Sequence, residues 1–237
     1  IMAGLVGLIF GAPSLKVKGL YLALATLAAQ FILEWLFKHW LYLGRFTGLQ
    51  VPYPSIRGIT IRSTMAFYYL IAGFAIVMGI FAKNIARTRA GRALIAIRDN
   101  DKAAEGMGIN VYRYKLLAFF IGCFYAGIAG SLLAHYMRGT CHDWFTLNES
   151  IWMLGMLVIG GMGGIMGAVY GVFSIKMIER AILMYGPYLE LDIAKTASLT
   201  DIAFALIIIL FIIFEPRGLH HRWELFKASY RLWPFSY

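Results

Sequence analysis

KNIARTRAGRALIAIRDNDKAAEGMGINVYRYK, residues 83–115, is the long polar stretch of a chain otherwise dominated by apolar runs. It holds eight basic residues (Lys83, Arg87, Arg89, Arg92, Arg98, Lys102, Arg113, Lys115) and three acids (Asp99, Asp101, Glu105), and so carries half of the net charge of +10. Residues 65–82 on one side and 116–134 on the other are apolar almost without interruption. Each is close to the roughly 20 residues that a helix needs to cross a bilayer. A polar segment held between two such runs is a loop at a membrane surface, and its charge says which surface, because Lys and Arg accumulate on the cytoplasmic side.

The rest of the composition fits that setting. Sixty per cent of the residues are hydrophobic and only 14% charged, with a mean hydropathy of +0.70. Globular domains carry about 25% charged residues. Closed barrels alternate apolar and polar positions, whereas these runs are continuously apolar and rich in Leu, Ala, Gly and Ile. The expected fold is therefore all-α, a polytopic α-helical membrane protein of about six to seven membrane segments with a cytoplasmic loop over residues 83–115. Residues 1–237 read as one membrane domain. Membrane topology accounts for the positive charge, so nucleic acid is not an expected partner; the lipid bilayer is. Two cysteines, Cys123 and Cys141, make neither a disulfide framework nor a zinc spacing.

Residues 1–12 read as the end of a span that Pro13 stops, followed by Lys16 and Lys18. Residues 19–36 form the next span, with Gln30 and Glu34 in its second half and Glu34 one turn from Lys38. A polar loop leads to the span at 65–82. In residues 116–134, Ala118, Gly122, Ala126, Gly130 and Ala134 recur every fourth residue, a row that lets another helix approach closely. Residues 150–159 are too short to span before the glycine-rich GGMGGIMG of residues 160–167. Residues 168–185 are full length, a loop with Pro187, Glu190 and Asp192 comes next, and the last span, residues 197–214, ends at Pro216 and Gly218. The tail, with Arg217, Arg222, Lys227, Arg231 and several aromatic residues, suits the membrane interface. Threaded with residues 83–115 inside, the cytoplasmic segments hold fourteen Lys and Arg against six outside.

Within the long loop, Ala93, Leu94, Ala96 and Ile97 give residues 92–98 an apolar helical face. Asp99, Asn100 and Asp101 then offer N-cap oxygens for a second short turn, which Gly106 or Gly108 ends. Arg98 and Glu105 have two readings side by side, pairing with a partner protein or pairing within the loop. Gly160, Gly161, Gly163 and Gly164 read as a break between half-length helices facing a water-filled passage. Gly167 and Gly171 read as close packing. Glu34, Lys176, Glu179 and Arg180 are ionisable groups inside spans and so candidates for function, with local pairing or snorkelling as the structural reading beside it. Thr26 and Gln30 are the weakly polar candidates for a path. No metal site is expected, since His135, Cys141 and His142 lack ligand spacing.

The loop resembles the permease signature of ABC importers: Arg89-Ala90-Gly91-Arg92-Ala93, Ile97-Arg98-Asp99-Asn100-Asp101, then Ala103-Ala104-Glu105-Gly106-Met107-Gly108-Ile109-Asn110. It is most similar to the LivM family of high-affinity branched-chain amino acid permeases. Lys18-Gly19-Leu20-Tyr21, Tyr114-Lys115-Leu116-Leu117, Ile159-Gly160-Gly161-Met162-Gly163-Gly164 and Glu215-Pro216-Arg217-Gly218-Leu219 extend the resemblance over nearly the whole chain. It implies a multi-pass subunit of the bacterial inner membrane that pairs with a homologous second permease, two cytoplasmic ABC ATPase subunits and a periplasmic substrate-binding protein. It also implies that Arg89, Gly91, Arg92, Arg98, Asp99, Asn100, Ala103, Ala104, Glu105, Gly106 and Gly108 belong to the ATPase-coupling segment. Family members have further N-terminal spans, so the chain is expected to be N-terminally incomplete.

The chain lacks GxxxxGK[ST], the loop that cradles nucleotide phosphates. No cofactor of its own is expected, ATP being bound by the partner subunits. Branched-chain or related amino acids are the expected cargo, and urea or a short amide on the same architecture is the alternative. A membrane-embedded enzyme is disfavoured, because the spans contain no His and their serines have no adjacent base.

Overall fold

The computed structural model describes residues 1–15, 20–40, 48–56, 59–185, 193–215 and 218–232. Readings that rest on Lys16, Lys18, Arg45, Arg57, Pro187, Glu190, Asp192, Pro216 and Arg217 lie outside those residues. The architecture is helical: α1 (Met2–Ser14), α2 (Leu20–His39), α3 (Thr64–Arg87), α4 (Arg89–Asp99), α5 (Asp101–Gly106), α6 (Val111–Met137), α7 (Leu147–Gly160), α8 (Ile165–Tyr185), α9 (Ile193–Phe214) and α10 (Gly218–Leu232). The chain divides into two compact units, Ile1–Thr146 and Leu147–Tyr237.

Among the described residues, three unbroken helices have the length and apolarity to cross a membrane: Tyr21–His39, Thr64–Arg87 and Val111–Met137. Two bent pairs, Asp143–Gly160 with Ile165–Met184 and Ser198–Phe214 with Gly218–Tyr230, raise the count to five. The short helix α1 stands apart from these, and the unbroken helices are longer than the hydropathy runs suggest. Helices α3 and α6 extend into the basic stretch, because Lys and Arg continue a helix as readily as Leu does. Lys83 and Arg87 thus lie on α3, and Arg113 and Lys115 on α6, leaving residues 88–110 between the spans. The same lengthening brings His39 into the end of α2 and His135 into the last turn of α6, correcting the expectation of spans without His.

Pro13 does not stop α1. It sits inside the final turn, where its missing N–H forfeits one bond to the carbonyl four residues back, yet the helix runs one residue further and the Leu15 amide closes it by donating to the Gly11 carbonyl at 3.0 Å. Helix α1 packs along α6 by presenting backbone instead of side chains. Gly4 lies against Phe120, Gly7 against Cys123 and Gly11 against Phe119, and Gly127 of α6 receives Ala3. The Tyr112 hydroxyl donates to the Ala12 carbonyl at 3.2 Å.

The row Ala118, Gly122, Ala126, Gly130 and Ala134 is therefore not the face that α6 uses against α1. Nothing lies within 4 Å of a Cβ built on Gly122 or Gly130, and Ala118, Gly122 and Ala126 are exposed. Small-residue periodicity marks where a helix can be approached; the glycines of α1 decide where it is. Helix α3 meets α6 more loosely: the Tyr125 hydroxyl donates to the Met78 carbonyl at 3.0 Å and Phe67 stacks on Tyr136. An apolar groove of about 350 Å³, lined among others by Phe74, Ala129 and Leu132, separates the two helices.

At the far end of α6 the chain turns at Arg138, a left-handed residue with φ 58°. Among the described residues there are also two pairs of two-residue strands. β1 (Leu49–Gln50) pairs antiparallel with β4 (Gly139–Thr140), and β2 (Ser55–Ile56) with β3 (Ile59–Thr60). The Arg138 guanidinium lies 4.0 Å above the Tyr53 ring, a cation–π contact. In the second unit, Met156, Ile159, Ile175 and Phe204 form a core around which Trp152, Ile207, Ile208, Phe211 and Leu219 pack. Trp152 and Phe204 stack at 3.8 Å.

Gly7→Leu should cost the fold about 1–3 kcal/mol, the usual range for overpacking a tight contact, because the Cβ position is 2.5 Å from the Cys123 Sγ. Gly122→Leu should be close to neutral. Thermal unfolding in detergent checks both, and equal losses would mean that α6 packs through its small-residue row after all.

Candidate functional site

Between α3 and α6 the chain makes a tight device from two short helices. Thr88 starts it. Its Oγ1 accepts from the Gly91 amide at 3.2 Å and donates to the Ile85 carbonyl at 2.7 Å, which ends α3 and caps α4 with one hydroxyl. Gly91 then allows α4 to leave against the end of α3, since an added Cβ would stand 2.4 Å from the Ile85 and Ala86 carbonyl oxygens. Along α4, Ala93 and Ile97 are buried, and Leu94 half-buried. That is the apolar face read from the sequence, packed against α3, α5 and α6.

Of the three candidate cap residues, Asn100 does the capping: its Oδ1 accepts from the Lys102 and Ala103 amides at 3.0 and 3.1 Å. Asp99 instead pairs with Arg98 at 3.1 Å, and Asp101 with Lys115 on α6. Ala104 is 0% exposed, so α5 is anchored through one methyl. Gly108, at φ 81°, supplies the left-handed exit, while Gly106 stays helical. The Gly108 amide donates to the Glu105 carbonyl and that of Ile109 to the Ala104 carbonyl. Asn110 caps α6 by accepting from the Arg113 amide at 3.1 Å.

The outward surface is of mixed charge. Arg89, Arg92, Arg98, Asp99, Lys102, Ala103, Glu105, Gly106 and Gly108 are exposed, around two exposed apolar side chains, Ile95 at 45% and Met107 at 69%. Arg98 has a local pair, whereas Glu105 has no ion-pair partner among the described residues. Thr88, Asn110 and the pair Asp101–Lys115 escaped the sequence reading. For the two caps the signal was present, an oxygen-bearing side chain one residue before each helix.

The second unit contains the break. Helix α7 ends at Gly160, α8 begins at Ile165, and the two axes are bent by 113°. Gly161, at φ 101°, makes the turn. Gly160 and Gly161 are buried, not turned toward a passage: a Cβ on Gly160 would lie 1.9 Å from the Gly167 carbonyl oxygen, and one on Gly171 1.9 Å from that of Met156. Break and close packing are thus one feature. The elbow closes because the residues on both of its sides lack side chains. Gly163 is exposed and a Cβ built on it would meet nothing within 4 Å, and Gly164 faces the His220 ring. Gly218, at φ 74°, lies against Gly161. Neither Gly218 nor His220 was a site candidate in the sequence, since the contact depends on how α10 folds back.

Elsewhere, Thr26 is exposed and donates to the Ala23 carbonyl at 2.9 Å, and Gln30 has a buried Nε2 with no hydrogen-bond partner among the described residues. Glu34 pairs with Lys38 at 2.9 Å and Lys176 with Glu179 at 2.6 Å, the local neutralisation that spacing suggests. No group of three or more His, Cys, Asp or Glu able to hold a metal occurs among the described residues. Ser14 and Ser174 each donate to the carbonyl one turn back, the ordinary behaviour of a helical serine.

The described residues form a polytopic helical membrane protein with a capped two-helix insert between two of its spans. The family model described as the permease component of branched-chain amino acid transport systems matches residues 1–214, and the chain belongs to that family. It is similar to the high-affinity branched-chain amino acid transport system permease protein LivM of Escherichia coli strain K12, 30% identical over 219 residues, 78% of this chain and 52% of that protein. LivM of Salmonella typhimurium is 32% identical over 222 residues, with the same shares. LivH of Salmonella typhimurium, a permease protein of a high-affinity branched-chain amino acid system, is 30% identical over 141 residues, 60% of this chain and 42% of that protein. The chain spans about half the length of the LivM relatives it matches. No solved structure matches.

Gly91→Val should displace α4, because both opposing atoms are main-chain carbonyls that cannot swing away. Asn100→Ala should loosen α5 by about 1 kcal/mol, the usual worth of an N-cap. Faster tryptic cleavage at Arg92, Arg98 and Lys102 in folded protein measures both. Gly106→Ala, with open space around it, should cleave no faster than the parent.

Proposed function

We propose that this chain is the membrane-spanning permease subunit of an ABC importer for branched-chain or related amino acids in the bacterial inner membrane. Helices α4 and α5 are its ATPase-coupling segment. Two cytoplasmic ATPase subunits bind and hydrolyse the ATP, a homologous second permease completes the membrane part, and a periplasmic binding protein delivers the cargo. The resemblance to both LivM and LivH supports the paired-permease reading.

The observation that carries the proposal is the construction of the α4–α5 insert. A loop that merely connected two spans would need neither three successive side-chain caps nor a glycine fitted against two carbonyls. Caps and buried contacts make the insert rigid, so a push on its outer face passes to α3 and α6 without being lost in local bending. Ile95 and Met107 offer apolar anchors, and Arg92, Lys102 and Glu105 a charged rim, the make-up of a protein-docking surface. The glycine elbow of α7 and α8 is the part of this reading that changes angle during transport, since its backbone contact permits rotation without side-chain repacking.

Glu105→Lys should sharply reduce co-purification with the ATPases and ATP-dependent leucine uptake into vesicles, while the chain still inserts. Uptake that continued without any ATPase would refute the importer reading. Selective uptake of urea or a short amide would keep the architecture and replace the cargo.

A further inference from the structure

We propose that α10 is an interfacial helix that binds anionic phospholipid, holding the end of α9 to one membrane surface. Helix α9 is the apolar arm of the second bent pair; it has 22 residues, and at about 1.5 Å per residue that length reaches across a hydrocarbon layer of roughly 30 Å without α10. The segment after α9 therefore starts at a bilayer surface. There the chain turns at Gly218, φ 74°, and α10 departs at 47° to α9.

The sequence of α10, GLHHRWELFKASYRL, is too rich in ionisable residues to enter the hydrocarbon, yet its apolar residues are ordered. Leu219, Trp223, Phe226 and Tyr230 fall within roughly 60° of arc at 3.6 residues per turn. Leu219 rests on the core of the second unit, and the stripe then emerges from the protein: Trp223 is 53% exposed, Phe226 64% and Tyr230 76%. Trp223 and Phe226 stack, so the ring surface is continuous. Arg222 borders the stripe on one side and Lys227 on the other, each roughly 40° beyond its edge, with Glu224 on the opposite face.

Trp and Tyr at headgroup depth beside basic residues is the composition of a helix lying in the interface plane. The flanking charge selects the lipid. Arg222 is already paired with Glu215, whereas Lys227 makes no ion pair among the described residues and sits where a phosphate would stand beside buried rings. A second protein chain would need apolar surface on α10 beyond this narrow stripe; a bilayer needs only the stripe and its basic edges. The inference rests on the membrane placement of α9 and not on the cargo or the ATPases.

The test uses the full chain, with Cys123 and Cys141 replaced by Ser, in nanodiscs of phosphatidylcholine with or without phosphatidylglycerol. Single cysteines at Phe226 and Tyr230 on the stripe, and at Glu224 and Ala228 away from it, carry a nitroxide. Their collision rates with oxygen and with a nickel chelate report depth. All four positions are exposed, so labelling leaves the core intact, and gel filtration confirms folded protein. The expected result is a several-fold higher oxygen-to-nickel ratio at the stripe positions than at the other two. Phosphatidylglycerol should raise that contrast, and Lys227→Glu should remove the rise. Equal ratios around the helix would overturn the proposal, as would stripe labels shielded from both reagents with spin–spin broadening between copies. A contrast indifferent to phosphatidylglycerol would overturn its anionic-lipid part.

Discussion

Helices surrounded by lipid gain little by burying apolar side chains against one another, because the lipid is as apolar as leucine. Their gain comes from contact distance. In both units of this chain the close contacts occur where a side chain is missing: Gly4, Gly7 and Gly11 against α6, and Gly160, Gly167 and Gly171 at the elbow of α7 and α8. The glycines of α1 seat the Phe119, Phe120 and Cys123 side chains, whereas at the elbow main chain meets main chain and leaves no flexible atoms to absorb a substitution. The same constraint applies at Gly91, outside the apolar spans, where α4 is fitted to the carbonyls that end α3. It sets the positions of α1, α4 and α8 alike.

Fixing α4 in this way has a mechanical consequence. Residues 88–110 could have been a solvated basic loop, and their charge alone would not argue otherwise. Thr88, Asn100 and Asn110 each satisfy free amides of a helix start, and Ala93, Ile97 and Ala104 bury the inner face. The remaining outer face combines two apolar residues with unneutralised charge. Rigid inside and adhesive outside suits the coupling role proposed for α4 and α5, and the family to which the chain belongs is one of transport permeases.

The helical membrane fold was legible in composition and run length, since both reflect the cost of unpaired backbone groups in lipid. The two short helices were legible too, because caps and apolar spacing are local signals. Three things were not. Pro13 looked like a stop, but its position within the last turn decides its effect. The row from Ala118 to Ala134 looked like the packing face of α6, but a helix surface does not carry the identity of its neighbour. The glycines of residues 160–164 suggested backbone turned toward water, whereas Gly160 and Gly161 are covered by α8 and by Gly218, contacts made across sequence distance. The pairing of β1 with β4, distant from each other in the chain, is illegible for the same reason.

The coupling role of α4 and α5 can be tested by contact. A photo-crosslinking amino acid placed at Ile95 or Met107, in membranes that also contain the ATPases, samples the outer face directly. Crosslinks to an ATPase subunit are expected from both positions, changing in yield when ATP is added. Crosslinks to lipid alone, with no ATPase adduct from either position, would contradict it.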